Sequence, residues 1–139
     1  MTLGIMSSSM TSNGAPQHLL AVEDVPANLA LLHAVLEPAG FQVHDAMTLQ
    51  EARSLLHAQR PALILLDVRL PDGDGLDLAR EMQHRDAPER VPILAISASV
   101  LPHERDDALA AGCDAFLPKP LRPAELLTTV RGLLNKTTA

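Results

Sequence analysis

The sequence predicts an α/β fold in which a parallel β-sheet carries helices on both faces. Five short apolar runs alternate along the 139 residues with segments of helical period. Strand-then-helix units repeated in this way specify a doubly wound parallel sheet. The length fits a single domain with one buried core. The predicted strands lie at 19–22, 41–46, 62–66, 93–96 and 115–117, and the helices begin near Pro26, Thr48, Leu76, Pro102 and Pro123.

The composition is typical of a globular protein, with 47% hydrophobic and 20% charged residues. A net charge of −6, with no basic face that carries aromatic residues, argues against direct nucleic-acid binding and against binding to anionic membranes. No apolar run approaches the roughly 18 residues of a membrane span, and the N-terminus lacks the pattern of a signal peptide. The single cysteine, Cys113, suits a reducing compartment, so we expect a cytoplasmic location.

The first half of the chain supplies two strand–helix units. Residues 1–17 show no sustained hydrophobic period and are predicted to form a flexible N-terminal tail. Pro26 is tolerated in the first turn of the first helix, and Gly40 is suited to closing that helix in a left-handed conformation. The second predicted strand has the weaker apolar pattern of the two, which suits a position at an edge of the sheet. Thr48 and Glu51 form a capping box at the start of the second helix.

The second half supplies the most apolar strand. Residues 62–66 form an uninterrupted apolar run, which predicts a strand buried on both faces, and this run leads into Asp67 and a Pro- and Gly-rich loop. The fourth helix has a thin apolar stripe, so we expect it to be the element most easily shifted. The last helix has a broad apolar face. The predicted domain spans residues 18–135, with a C-terminal tail at 136–139.

Acidic, hydroxyl and amino side chains follow four of the five predicted strands. They are Glu23, Asp24, Asp67, Ser97 and Lys119. Because parallel strands end at the same edge of a sheet, these groups should meet in one crevice. Clustered carboxylates either take up a proton or hold a cation, and all-oxygen ligands favour Mg²⁺. With a lysine and a hydroxyl to bind phosphoryl oxygens, the chemistry suggested is phosphoryl transfer onto an aspartate.

Four motifs at these strand ends resemble those of a known family. They are Val-Glu-Asp at 22–24, Leu-Leu-Asp-Val-Arg-Leu-Pro-Asp-Gly-Asp-Gly at 65–75, Ile-Ser-Ala at 96–98 and Lys-Pro at 119–120. Over about residues 18–135 the chain resembles a response-regulator receiver domain of two-component signalling, similar to single-domain chemotaxis regulators and to hybrid histidine kinase receivers. The resemblance implies a flavodoxin-like (βα)5 sheet with the strand order 2-1-3-4-5.

The resemblance also implies a catalytic and a metal-binding role for the residues at this edge. Asp67 would be phosphorylated, with Lys119 and Ser97 binding the phosphoryl oxygens. The implied ligands of Mg²⁺, or of Mn²⁺ in its place, are Glu23, Asp24, Asp67 and the backbone carbonyl of Arg69. Glu23 would act through a bound water.

Further positions match the regulatory features of the family. Ser97 and Phe116 match the two switch positions, which move together on phosphorylation. Arg69 and Ser99 match positions that tune the rate of dephosphorylation. The bond between Lys119 and Pro120 matches a peptide bond that is usually cis in the family, a geometry essentially confined to proline.

The resemblance implies a phosphoryl donor and a protein partner for output. The donor would be a histidine kinase or a histidine phosphotransfer protein. The chain would not be a conventional enzyme, since it would catalyse only its own phosphorylation and dephosphorylation. Output would pass through the fourth helix, fifth strand and fifth helix to an unknown protein target, and a phosphorylation-dependent homodimer is compatible with this. A free-standing regulator, a phosphate shuttle and a receiver from a hybrid kinase all remain open.

Three other interpretations compete with this one. A flavin carrier of the same fold needs a phosphate-binding loop after the first strand, where this chain has the adjacent acids Glu23 and Asp24. A phosphatase of the haloacid-dehalogenase type needs a second aspartate where this chain has Arg69. A pseudo-receiver would act as a protein-interaction module without phosphorylation. Its mark would be the loss of an acid or of the lysine, and neither is lost.

The side chain of Arg69 should slow hydrolysis of the phosphoryl group. A long cation two residues beyond Asp67 can screen the path of water or pair with the phosphoryl oxygens. We therefore expect Arg69→Ala to lose its phosphoryl group faster than the native chain, as measured by the decay of the phosphorylated species after removal of the donor. An unchanged or slower decay would contradict this role for Arg69.

Overall fold

The described part of the protein is built around one five-stranded sheet. The structure is a computed structural model and describes residues 16–83, 90–98 and 101–138, with side chains described up to residue 135. The strands are β1 (His18–Val22), β2 (Gln42–Ala46), β3 (Leu63–Asp67), β4 (Ile93–Ser97) and β5 (Ala115–Pro118). All neighbouring strands run parallel, in the order β2-β1-β3-β4-β5. This confirms the predicted sheet and strand order.

Five helices connect and follow these strands. They are α1 (Pro26–Leu36), α2 (Leu49–Ala58), α3 (Gly75–Gln83), α4 (His103–Ala110) and α5 (Pro123–Thr138). Pro26 occupies the first turn of α1, and Gly40 lies beyond its end with a φ of 101°. Thr48 caps α2 by accepting a hydrogen bond from the Glu51 N–H. The Glu51 carboxylate in turn accepts from the N–H of Met47, one residue before the cap.

The sheet separates two layers of hydrophobic core. Along β1, successive side chains point to opposite faces. Leu20 and Val22 join the layer that contains residues of α2, α3 and α4, whereas Leu19 and Ala21 join the layer of α1 and α5. Every residue of β3 and β4 is buried, as expected for central parallel strands. The ends of these strands are therefore held at fixed positions by packing on both faces.

The loop after β3 forms a small hairpin that the sequence pattern did not predict. Residues 69–70 pair with residues 73–74 in antiparallel fashion. Between these pairs, Asp72 accepts hydrogen bonds from the N–H groups of Leu49 and Gln50, so that it caps the start of α2 from another part of the chain. The loop that follows Asp67 is thus tied to the amino end of α2.

Two leucines that lie on the apolar stripes of their helices are exposed. Leu55 of α2 and Leu109 of α4 expose 37% and 44% of their surface. In α4 only Ala108 is buried, which agrees with the thin apolar stripe read from the sequence.

The helices of the described residues include none that is long and apolar enough to cross a membrane. The last helix extends to Thr138, past the predicted domain end at residue 135. Residues 1–15, and with them most of the predicted tail at 1–17, lie outside the described residues, so the division into tail and domain stays a prediction.

Gly75 cannot accept a side chain without a change in the loop. A Cβ atom at this position would collide with the backbone carbonyl of Asp67, and the Gly75 N–H is bonded to the Val68 carbonyl at 2.7 Å. We expect Gly75→Ala to lower the free energy of unfolding by about 3 kcal/mol, measured by urea denaturation. Gly132→Ala is the matched control, because nothing lies near a Cβ there and alanine favours a helix by up to about 1 kcal/mol. Equal stabilities of the two variants would contradict the close approach at Gly75.

Candidate functional site

The carboxyl ends of four strands meet at one edge of the sheet. Glu23 and Asp24 follow β1, Asp67 is the last residue of β3, and Ser97 is the last residue of β4. Lys119 follows β5. The register aligns these ends, since Asp67 lies opposite Ile96, and Ser97 lies opposite Pro118. The parallel topology thus brings together side chains that are up to 96 residues apart in the chain, from residue 23 to residue 119.

Lys119 joins two of the carboxylates. Its Nζ atom lies 2.8 Å from Glu23 Oε1 and 3.0 Å from Asp67 Oδ2. The lysine side chain is 14% exposed, and those of Glu23 and Asp67 are 3% and 8% exposed. Burial works to lower the pKa of Lys119, but its hydrogen bonds and charge interactions with Glu23 and Asp67 hold that pKa above its ordinary value. Lys119 is therefore a charged ammonium shared by two buried carboxylates.

Asp67 is held from its own loop as well. Its Oδ1 atom accepts a hydrogen bond of 3.1 Å from the Arg69 N–H, while Oδ2 faces Lys119. Burial raises the pKa of the Asp67 carboxyl above its ordinary value, and the hydrogen bonds from Arg69 and Lys119 offset only part of this. Both oxygens thus have defined donors, and the carboxylate is kept at the floor of the crevice.

Glu23 differs from Asp67 in how its charge is balanced. Its Oε2 atom accepts a hydrogen bond of 3.0 Å from the Val25 N–H, and its Oε1 atom faces Lys119. Burial works to raise the pKa of Glu23, but the hydrogen bonds from Lys119 and Val25 outweigh it, so the pKa lies below its ordinary value. Glu23 is accordingly the carboxylate of the pair that stays ionised most readily.

The acidic residues at this edge have the donor set of a hard-cation site. One carboxylate oxygen from each of Glu23, Asp24 and Asp67 lies within 4.8 Å of the other two. Asp24 is partly exposed, whereas the other two are buried, so the cluster opens to solvent on one side. Three carboxylates at this spacing, with oxygen as the only donor, fit Mg²⁺ or Mn²⁺ better than a soft metal such as zinc.

Ser97 and Arg69 meet at a residue that the sequence pattern had not singled out. The Ser97 hydroxyl donates a hydrogen bond of 2.8 Å to Glu104 Oε1, and the Arg69 guanidinium donates one of 3.2 Å to Glu104 Oε2. Glu104 belongs to the first turn of α4. Acidic residues in the first turn of a helix are common because they face its positive end, so the sequence offered no signal for this contact.

Of the remaining predicted positions, the structure describes Phe116 and the Lys119–Pro120 bond but not Ser99. Phe116 is 9% exposed and belongs to the core layer that also contains Ala108 of α4. The Lys119–Pro120 peptide bond is cis. Ser99, predicted to tune the dephosphorylation rate, lies outside the described residues.

The fold and the acidic strand-end site together are those of a receiver-type α/β module, and comparison with known proteins identifies the family. The family model of the response regulator receiver domain matches residues 19–131. The chain therefore belongs to the response regulator receiver domain family of two-component systems.

Individual relatives agree with this assignment. The chain is 39% identical to the KDP operon transcriptional regulatory protein KdpE of Escherichia coli over 124 residues, which cover 88% of this chain and 53% of KdpE. It is 27% identical to the polar-differentiation response regulator DivK of Brucella anthropi, covering 86% of this chain and 98% of DivK. The chain thus spans about half the length of KdpE and nearly the whole of DivK.

A solved structure is similar over the same region. The receiver domain of the sensor histidine kinase PA1611 from Pseudomonas aeruginosa PAO1 has a TM-score of 0.78 and 35% sequence identity. The match covers 87% of this chain and 99% of that domain, which was crystallised with a magnesium ion coordinated in its active-site cleft.

Proposed function

We propose that this chain accepts a phosphoryl group on Asp67 from a histidine kinase or a histidine phosphotransfer protein, and signals through a change in its protein contacts. The observation that carries this proposal is the buried ion pair of 3.0 Å between Lys119 and Asp67, with Glu23 and Asp24 beside it. A nucleophilic carboxylate, a cation for phosphoryl oxygens and an acidic cluster are the parts that this chemistry requires.

In the proposed transfer, an oxygen of Asp67 attacks the phosphorus atom of the donor. A bond forms between that oxygen and phosphorus as the bond from phosphorus to the donor's imidazole nitrogen breaks, and the imidazole keeps the electron pair. Lys119 is close enough to exchange its contact with Asp67 for one with a phosphoryl oxygen. Ser97, also at this edge, would donate its hydroxyl to another phosphoryl oxygen. Because the chain acts only on its own aspartate, it is not a conventional enzyme.

The ligands proposed for Mg²⁺ are Glu23, Asp24, Asp67 and the backbone carbonyl of Arg69, with Mn²⁺ as a substitute. The closeness of the three carboxylates supports this, since like charges within 4.8 Å favour a bound cation. A bound divalent cation would withdraw negative charge from the phosphoryl oxygens. The Arg69 N–H bond to Asp67 keeps the loop that carries the Arg69 carbonyl next to this cluster.

Output is proposed to leave through α4, β5 and α5. Ser97 contacts α4 through Glu104, and Phe116 packs in the core layer that includes Ala108 of α4. These contacts support Ser97 and Phe116 as the two switch positions. The partner of this face is a downstream protein or a second copy of the chain, and the acidic net charge of −6 favours a protein over nucleic acid. We infer a cytoplasmic site of action, where the buried thiol of Cys113 stays reduced.

The competing proposal is a pseudo-receiver that binds a partner without phosphorylation. It predicts that the site lacks at least one working part. All of Glu23, Asp24, Asp67 and Lys119 are present, and the described contacts link them in one cluster. This favours the phosphoacceptor, and the two proposals differ in a direct chemical test.

Incubation with Mg²⁺ and a small phosphodonor such as acetyl phosphate should add one phosphoryl group to the native chain. Asp67→Asn should take up none, because an amide lacks the nucleophilic oxygen anion. Intact-mass spectrometry measures both. Asp77→Asn is the matched control, since it removes an exposed carboxylate from α3 and should be phosphorylated like the native chain. A native chain that takes up no phosphoryl group would favour the pseudo-receiver.

Magnesium should stabilise the native chain even without a phosphodonor. At saturating Mg²⁺ we expect the Tm to rise by about 5 °C, because a cation that binds only the folded cluster shifts the folding equilibrium. Asp24→Asn should abolish most of this rise and should itself raise the Tm of the metal-free protein, since it removes one of three mutually repelling carboxylates. Asp77→Asn again serves as the control. A full magnesium response in Asp24→Asn would exclude Asp24 as a ligand.

A further inference from the structure

Glu104 holds two hydrogen-bond donors at the edge of the phosphorylation site. Its Oε1 atom accepts from the Ser97 hydroxyl at 2.8 Å, and its Oε2 atom accepts from the Arg69 guanidinium at 3.2 Å. The Glu104 side chain is only 11% exposed, and Ser97 is 1% exposed. A single carboxylate on α4 thus connects the end of β4 to the loop after β3.

Both of these donors belong to residues that neighbour Asp67, one along the chain and one across the sheet. Arg69 is two residues further along the chain, and its backbone N–H is already bonded to Asp67 Oδ1. Ser97 is the residue after Ile96, which lies opposite Asp67 in the sheet. A phosphoryl group on Asp67 would present anionic oxygens to the same two donors. A carboxylate and a phosphoryl group are acceptors of the same kind, so Glu104 and the phosphoryl group compete.

An ordinary helix-end role does not account for this geometry. An acidic residue that only faces the positive end of a helix gains its small benefit in solvent, as the exposed Asp106 in the same turn does. The Arg69 side chain is 74% exposed, so its ion pair with Glu104 alone would contribute little. The burial of Glu104 against a buried hydroxyl is the feature that remains to be explained.

We propose that Glu104 opposes phosphorylation by occupying the place of the phosphoryl group: it holds the Ser97 hydroxyl and the Arg69 guanidinium until a phosphoryl group on Asp67 displaces it. This inference rests on the proposed function. The added phosphoryl charge repels the Glu104 carboxylate while taking its donors. A cleft of about 410 Å³, lined by Arg69 and Glu104 among others, lies between the hairpin and α4 and gives the displaced side chain room to move.

Displacement of Glu104 would act directly on α4. The helix buries only Ala108, and its N-cap residue Pro102 offers no side-chain cap. The hydrogen bond to Ser97 therefore helps to hold the first turn of this weakly packed helix to the sheet. Loss of this bond would free that turn and change the surface that α4 presents to a partner.

The test compares Glu104→Gln with Asp106→Asn. Both variants remove one negative charge from the first turn of α4, but only the first removes the competitor of the phosphoryl group. With Mg²⁺ and limiting acetyl phosphate, we expect the initial rate of phosphorylation to rise about tenfold in Glu104→Gln, the scale of one hydrogen bond to a charged group. In Asp106→Asn it should stay within about twofold of the native rate. Equal rates in the two variants would overturn the role of Glu104 and leave the proposed function intact.

A second readout is hydrogen exchange, measured first without and then with phosphorylation. Hydrogen exchange of the α4 backbone amides, measured without a donor, should be faster in Glu104→Gln than in Asp106→Asn and in the native chain. Phosphorylation of the native chain should bring its α4 exchange close to that of unphosphorylated Glu104→Gln. If native α4 exchange is unaffected by phosphorylation, the displacement does not occur. If the native chain takes up no phosphoryl group, the proposed function fails and this inference fails with it.

Discussion

The structure of the site depends on one ammonium group placed between two buried carboxylates. Lys119 lies within 3.0 Å of both Glu23 and Asp67, and all three side chains are largely withdrawn from water. A buried carboxylate without a cationic partner is strongly unfavourable, so the removal of Lys119 would leave two such groups close to each other. The lysine can reach both only because β5 lies beside β4 and β4 beside β3. The order of the strands in the sheet therefore determines whether this arrangement of charges can form.

Most of the fold can be predicted from the sequence, because strands that are buried on both faces consist almost entirely of apolar residues. The segments that form β1, β3 and β4 are nearly uninterrupted apolar runs between turn residues, a pattern typical of such strands. What the pattern could not show depends on neighbours in space. The hairpin after Asp67 has only two residues in each strand. It is held partly by the contact of Asp72 with α2, and a contact between distant parts of the chain leaves no local sequence pattern. Leu55 and Leu109 fit an apolar stripe but lie where the described structure has nothing to cover them fully.

The principal site residues could be read from the sequence for a topological reason. The carboxyl ends of parallel strands lie at the same edge of the sheet. A polar residue at such a strand end can therefore be placed in the crevice from the sequence, before any distance is known. This reasoning reaches Glu23, Asp24, Asp67, Ser97 and Lys119. The same reasoning does not predict Glu104, because this residue lies on a helix and contacts the site only through the packing of α4. Residues on helices enter such a crevice only through tertiary placement, and their sequence context is that of ordinary helix ends.

The distribution of charge at the site supports the proposal that α4 carries the signal. In the unphosphorylated site, Lys119 is satisfied by Glu23 and Asp67, and Ser97 has an acceptor in Glu104. On the proposed function, a phosphoryl group on Asp67 would add negative charge where carboxylates already lie, so the acceptor that is least firmly held would give way. Glu23 follows a central strand and is fixed by a backbone hydrogen bond, whereas Glu104 sits on a helix with one buried residue. On the proposed function, the weakly packed helix would move because its carboxylate is the easiest one to displace, and the buried strands would keep the reacting groups in place.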